Sequence, residues 1–250
     1  MRLWLLLAAL FSALAAATLD AEYSLSYSIF PPIGTTTLHY ESGNGRYRIV
    51  AEANLHGLAA ILAHHHTERH TSIGSVDASG RLVPERYETL RTMDGLRRER
   101  RYLFDRRHHY ILYEERTERN VEAKHFDPKT MRFVSTTHAV TEVVERIEPY
   151  DAEDDLLTLY FNARKTLAQL PANTSASLPA AGTGHGVVRI MSTAVPMHYI
   201  LYLDQDIFQS REGEMSIETD KAFYIKEAVL KDVFLFGDLK VQRARLKESP

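Results

Sequence analysis

Three imidazoles and one carboxylate fall on alternate positions of the run His64-His65-His66-Thr67-Glu68-Arg69-His70. On a β-strand His64, His66, Glu68 and His70 share one face, about 7 Å apart in steps of two residues. Neutral imidazole is the commonest metal ligand, so the chemistry on offer is capture of zinc, copper or nickel. The same spacing argues against a rigid centre. Ligands must converge on one point about 2.1 Å away, whereas side chains along one strand diverge. Helical zinc motifs do not fit either: in His66-Thr67-Glu68-Arg69-His70 the glutamate stands one place late. In His65-His66-Thr67-Glu68-Arg69 an arginine occupies the place of the second histidine. The run reads as a solvated strand face or loop, with metal binding as the alternative.

Arginine is dense farther on. Arg97, Arg98, Arg100, Arg101, Arg106 and Arg107 interleave with Tyr102, Phe104 and Tyr110. Such a cluster can hold a phosphate-bearing lipid or glycan through charge. Glu99, Asp105, Glu114 and Glu115 dilute it, and charge on a strand's outer face is ordinarily just solvated. Asp151, Glu153, Asp154 and Asp155 form a dense acidic group. Paired carboxylates suit general acid–base catalysis. These stand at the start of a helical pattern, however, where acids stabilise the macrodipole by roughly 0.3–1 kcal/mol each. Capping accounts for them. Asp204-Gln205-Asp206 opens like a calcium loop, yet Phe208 and Met215 sit where oxygen ligands are required. Gly182-Thr183-Gly184-His185-Gly186 runs into a strand, so it lacks the helix dipole that a phosphate loop uses. Asn173-Thr174-Ser175 matches a glycosylation triplet in a small-residue loop. No Gly-x-Ser-x-Gly elbow occurs. No residue earns a catalytic, cofactor-binding or metal-ligating assignment on sequence grounds, and a non-enzymatic role is the expectation.

The elements that must position these residues are mostly strands. Glu22 to Ile29 alternates, with Tyr23, Leu25, Tyr27 and Ile29 on one face and Glu22, Ser24, Ser26 and Ser28 on the other. Pro31-Pro32 ends that strand, a second runs from Thr35 to Glu41, and Ser42-Gly43-Asn44-Gly45 turns into a third carrying Tyr47, Ile49 and Ala51. Leu55 to Ala63 is a short helix or a packed loop. From His64 the pattern is strand again, and Asp77-Ala78-Ser79-Gly80 turns into Leu82–Tyr87. Further strands cover residues 98–104, 109–115 and 133–145. From Asp151 to Leu170 the apolar residues Leu156, Leu159, Tyr160, Ala163, Leu167 and Leu170 fall at helical spacing. Asp151 is the expected N-cap, and Pro171 closes the helix. Residues 171–186 read as a loop, followed by strands at 187–191, 198–203, 215–219, 223–229 and 239–246.

Composition is that of a globular chain, with 44% hydrophobic and 25% charged residues in 250, enough to build a core. Cysteine is absent, which excludes disulfides, thiolate chemistry and a lipoprotein anchor. Met1-Arg2, the apolar run Leu3 to Leu14 and Ala15-Ala16-Ala17 have the layout of a cleaved signal peptide over residues 1–17. That run falls short of the about 20 residues that span a bilayer, so a retained anchor is the weaker reading. The remaining chain, residues 18–250, is expected to be one exported β-rich domain without a membrane span. Removing Arg2 leaves 29 basic against 33 acidic residues, a net charge near −4. Nothing in that balance fits a nucleic-acid partner.

The segment Gly80-Arg81-Leu82-Val83-Pro84-Glu85-Arg86-Tyr87 is similar to a "dGL.P.rY" segment of the exported bacterial proteins called domain of unknown function 3108. Asp155-Leu156-Leu157-Thr158 followed by Arg164 resembles that family's "DilS…R" helix, with threonine in the serine place. The early tyrosine strand, Gly34 and the stretch Val233-Phe234-Leu235-Phe236-Gly237-Asp238-Leu239 fit the same order. The histidine run departs from it. The resemblance implies a periplasmic β-rich protein, a curved sheet wrapped on a helix as in lipoprotein carriers, and carries over no catalytic residue. The combined expectation is a mainly β fold: an antiparallel curved sheet or partly open barrel with one amphipathic helix. Its concave face would be lined by Tyr23, Tyr27, Tyr47 and Ile49 and would hold a lipid or other apolar envelope ligand. The alternative is periplasmic metal binding through His64 to His70.

Overall fold

The computed structural model describes residues 16–27, 32–149, 152–183, 186–202, 213–233 and 237–249. Among the described residues, fifteen strands form a single curved sheet that does not close. The first eight are β1 (Ala17–Tyr27), β2 (Gly34–Gly43), β3 (Arg46–Leu55), β4 (Thr67–Val76), β5 (Leu82–Met93), β6 (Leu96–Asp105), β7 (Tyr110–Asp127) and β8 (Arg132–Pro149). A one-turn helix α1 (Gly57–Leu62) lies between β3 and β4. The two-residue β9 (Asp154–Asp155) leads into helix α2 (Leu156–Gln169). Then follow β10 (Ser175–Ala181), β11 (Val187–Ser192), β12 (His198–Tyr202), β13 (Glu214–Thr219), β14 (Ile225–Val233) and β15 (Gly237–Ser249).

The strand order is β8-β7-β6-β5-β4-β3-β2-β1-β15-β14-β13-β12-β11-β10-β9. Each half is an up-and-down meander, and the halves join where β1 pairs antiparallel with β15. The expected curved antiparallel sheet is what the chain forms; among the described residues the one parallel pair is β9 with β10. Local sequence explains the hairpins. Asn44 and Gly45 both take positive φ, +53° and +72°, as a two-residue turn between right-twisted strands requires. Asp77 organises the β4–β5 turn, its Oδ1 accepting the amides of Ser79 and Arg81 at 2.8 and 3.0 Å.

Strand β1 buries Leu19, Ala21, Tyr23, Leu25 and Tyr27, as its alternation predicts. On the concave side they meet Tyr47, Ile49, Leu82, Tyr87, Tyr102, Phe104, Ile111 and Tyr113 in the largest apolar cluster, apart from Leu25 and Tyr27. Those two join Leu230, Val233 and Leu239 in a cluster of their own. Helix α2 lies on this concave side and buries two faces. Leu157 and Phe161 pack on the first half of the sheet, while Leu159 and Ala163 pack on Ala180, Val188, Ile190 and Tyr199 of the second. At roughly 25 cal/mol per Å2 of apolar surface, these contacts drive the helix onto the sheet more than its own propensity does.

Four expectations are corrected. Helix α2 begins at Leu156, not near Asp151, because Asp155 caps it and Asp154 and Asp155 are held extended against β10. Asp151 itself lies outside the described residues. The expected loop at 171–186 contains strand β10, whose Ser-Ala-Ser-Leu-Pro-Ala-Ala composition carries little strand signal and which is recruited by β11 on one side and β9 on the other. His64 and His65 sit in the turn after α1, both at φ +54°, so the fourth strand starts only at Thr67. Finally, Tyr23, Tyr27, Tyr47 and Ile49 do not line an open face. All four are buried, Ile49 to 0% exposure, in the packing just described.

Candidate functional site

Where α2 meets the sheet, its first residues build a buried polar junction. Asp155 Oδ1 accepts the amides of Leu157 and Thr158, each at 2.8 Å, and Oδ2 accepts the Ser72 hydroxyl at 2.6 Å. The Asp155 amide donates in turn to Thr158 Oγ1 at 2.9 Å, completing a capping box. The Tyr47 and Ser72 hydroxyls lie 3.0 Å apart. Burial raises the Asp155 carboxyl to about 6 against the pull of these hydrogen bonds. Beside it Asp154 accepts from Arg81 at 2.9 Å and from Asn162 at 2.6 Å. Asn162 also clamps the start of β5, its Oδ1 accepting Leu82 N–H at 3.0 Å and its Nδ2 donating to Leu82 C=O at 2.8 Å. The acidic group therefore caps and tethers the helix.

A belt of charge crosses the concave face beyond the aromatic residues. Register places Glu68 of β4 opposite Arg91 of β5, Arg91 opposite Arg98 of β6, and Arg98 opposite Thr117 of β7. The neighbouring row is His70, Thr89, Arg100 and Glu115. Glu68 is the hub. His70 Nε2 lies 2.9 Å from one carboxylate oxygen, His66 Nε2 lies 3.4 Å from the other, and Arg91 approaches to 3.5 Å. Burial alone would raise the Glu68 carboxyl, but the two imidazoles and the guanidinium outweigh it and hold the group well below the usual carboxylate range. His70 Nδ1 continues the chain to the hydroxyl of Tyr87 at 2.6 Å. Tyr87 is itself fully buried, and its ring leaves no room for a side chain at Gly182, where an added Cβ would stand 2.4 Å from it.

The arginine cluster divides between the two faces of β6. Arg98 and Arg100 point inward to Glu115, at 3.7 and 2.7 Å. Arg97 and Arg101 point outward, the first against Glu99 and Glu118, the second at 3.0 Å from Glu88 and 3.2 Å from Glu114. Arg106 leaves the sheet and donates to the Pro84 carbonyl at 2.9 Å. Alternation of side chains splits a linear cluster in this way, and carboxylates on adjacent strands neutralise both halves.

A partly apolar cleft of about 400 Å3 opens at the margin of the core. Leu19, Tyr40, Leu82, Phe161 and Tyr224 line it, with Arg164 and Glu248 among its polar residues. The Arg164 guanidinium sits 4.6 Å from the centre of the Tyr224 ring and 5.6 Å from that of Phe161, and its Nε donates to the Phe161 carbonyl at 3.1 Å. Burial first, and then the Glu248 carboxylate, raise the Tyr224 hydroxyl. Ser72, Asp155 and Tyr87 have no exposed surface, so a substrate cannot reach them. The cleft is one place where a ligand can enter; a second, of about 380 Å3, is lined mostly by charged residues, among them Arg48, Arg69, Arg86, Glu88 and Arg101. Sequence patterns pointed to Arg164 but not to Tyr224 or Glu248, which arrive from the loop before β14 and from the end of β15.

Among the described residues, no three His, Asp or Glu side chains converge as metal ligands. His64 stands apart from His66, Glu68 and His70, which do meet. The Asp204 and Asp206 loop, Gly184, His185 and Ile29 lie outside the described residues, and no described helix is long and apolar enough to cross a membrane. No protein-family model matches this sequence, and no curated protein does so either.

Proposed function

We propose that this protein is an exported, non-enzymatic binding module of the bacterial envelope, acting in the periplasm, whose cleft beside α2 takes an apolar ligand with an anionic end. The observation that carries this reading is the cleft itself: an aliphatic and aromatic floor with one guanidinium, Arg164, and one carboxylate, Glu248, among its lining. Its volume is within the range of small-molecule sites, which are mostly apolar with a few placed polar groups. The leader-like segment Met1–Ala17 and the resemblance to the exported family called domain of unknown function 3108 support the compartment. A single acyl chain satisfies both parts of the cleft, its carboxylate or phosphate meeting Arg164 through charge-assisted hydrogen bonds.

Titration with a fluorescent fatty acid tests this. Micromolar binding is expected, weakened about tenfold in Arg164→Gln, as loss of about 1.4 kcal/mol implies. Purified protein that carries no lipid and binds no fatty acid would overturn the reading.

A second reading, metal binding, is favoured by the approach of His66 and His70 to one carboxylate. Arg91 beside Glu68 opposes it, since a guanidinium repels a cation. If the reading holds, zinc or copper binds at micromolar concentration or tighter, and the His64→Ala, His66→Ala, His70→Ala triple change abolishes binding. Weak binding that survives the triple change would end it.

A further inference from the structure

Strand β8 forms one margin of the sheet, and among the described residues no strand lies on its far side. It is eighteen residues long, against ten for β6. Only the stretch of β7 up to Arg119 is covered by β6, so Asn120–Asp127 and Arg132–Ala139 project as a two-stranded ribbon. An exposed strand of this length, with free N–H and C=O groups along one side, is a template for another strand. Its exposed apolar residues run its whole length instead of gathering at the tip: Phe133 at 76%, Val143 at 56%, Val144 at 48% and Ile147 at 68%.

We infer that β8 pairs antiparallel with β8 of a second copy of this chain, about a two-fold axis at Val140. Antiparallel hydrogen bonding exposes the outward N–H and C=O groups of every second residue. When a strand pairs with its own copy, partners must therefore be residues of the same parity. In the register centred on Val140, Phe133 faces Ile147 and Thr137 faces Val143, while Arg132 faces Glu148 and His138 faces Glu142. Arg132 and His138 have no ion-pair partner among the described residues. Glu142 and Glu148 pair within the chain with Arg119 and Arg146, and their carboxylates keep lone pairs for a second donor. Moving the centre one residue toward Arg132 sets Arg132 against Arg146. Moving it one residue the other way leaves Arg132 with no partner in the strand and sets Val134 against Glu148. Of these three registers, the one on Val140 sets Arg132 and His138 against carboxylates and Phe133 against Ile147, at the expense of placing Val134 against Arg146; an isologous contact of this kind closes as a dimer.

Sedimentation of the purified protein is expected to show a dimer at micromolar concentration. The chain contains no cysteine, so single cysteines report the register without background. Val140→Cys is expected to form a disulfide-linked dimer under mild oxidation, because the two copies of residue 140 face each other within disulfide reach. Thr136→Cys is not, since its copies stand roughly 27 Å apart, eight residues at about 3.4 Å each. Phe133→Lys combined with Ile147→Lys is expected to give a monomer with unchanged circular dichroism. A monomer at every concentration, equal cross-linking at 136 and 140, or a dimer that survives the double lysine change would overturn the inference. So would a protein that stays monomeric and co-sediments with anionic phospholipid vesicles, which would assign the strand to a membrane surface.

Discussion

Changing Asp155 to alanine is expected to remove about 3–5 kcal/mol of folding stability, read from urea unfolding. The loss of a cap contributes about 1 kcal/mol. The larger part comes from stranded partners: the Ser72 hydroxyl and the amides of Leu157 and Thr158 stay buried without an acceptor, each at a cost of roughly 1–3 kcal/mol before relaxation. Asp155→Asn keeps the shape and one oxygen, and its behaviour with pH is more telling. The folded protein holds the Asp155 proton up to about pH 6, whereas the unfolded chain releases it near the ordinary 3.8. Ionisation between those values therefore lowers stability, by roughly 3 kcal/mol at about 1.4 kcal/mol per unit. The asparagine variant has no such proton. Its deficit relative to the wild type should shrink by that amount between pH 4 and pH 7. A deficit that stays constant across the window would mean that Asp155 ionises normally.

Glu68→Gln is expected to cost about 3–5 kcal/mol at pH 7, the usual penalty for removing one partner of a buried ion pair. Arg91 would be left half-buried beside a neutral amide, and His66 and His70 would lose the carboxylate that both approach. Here the pH dependence has the opposite sign. The Glu68 carboxyl is lower in the fold than in the unfolded chain, so its contribution is complete above about pH 4.5 and fades as acid protonates it. Denaturant midpoints measured from pH 7 down to pH 3 should fall less steeply for the variant than for the wild type. Parallel slopes would show that Glu68 is not the acid-sensitive member of the belt.

The sheet was legible because alternation is local. Tyr23, Leu25 and Tyr27 declare their face within a few residues, and Asn44-Gly45 and Asp77–Gly80 declare their turns. Two things were not legible. Pairing across many residues decides which partner a charge meets: Glu68 meets Arg91 and the arginines of β6 split by parity, and neither fact follows from clustering along the chain. Tertiary recruitment decided the rest. Ser175–Ala181 becomes a strand through its neighbours, and Asp155 displaces Asp151 as cap because its side chain meets both Ser72 and the helix amides. The histidine run failed for a third reason. Its first two members close the turn after α1, where positive φ breaks the two-residue period on which a shared face depends.

The β1–β15 seam bears on how the molecule assembles. The first and last described strands are neighbours at the middle of the sheet, so its central ladder joins segments more than two hundred positions apart. Each meander can zip by short loops, but uniting them demands the closure of nearly the entire chain, an entropically costly step that tends to make folding slow. Until β15 arrives, β1 offers the apolar row from Leu19 to Tyr27 with one side unpaired. A ribosome-bound, partly synthesised chain would hold that sticky margin open, which makes the interval before completion its most aggregation-prone stage.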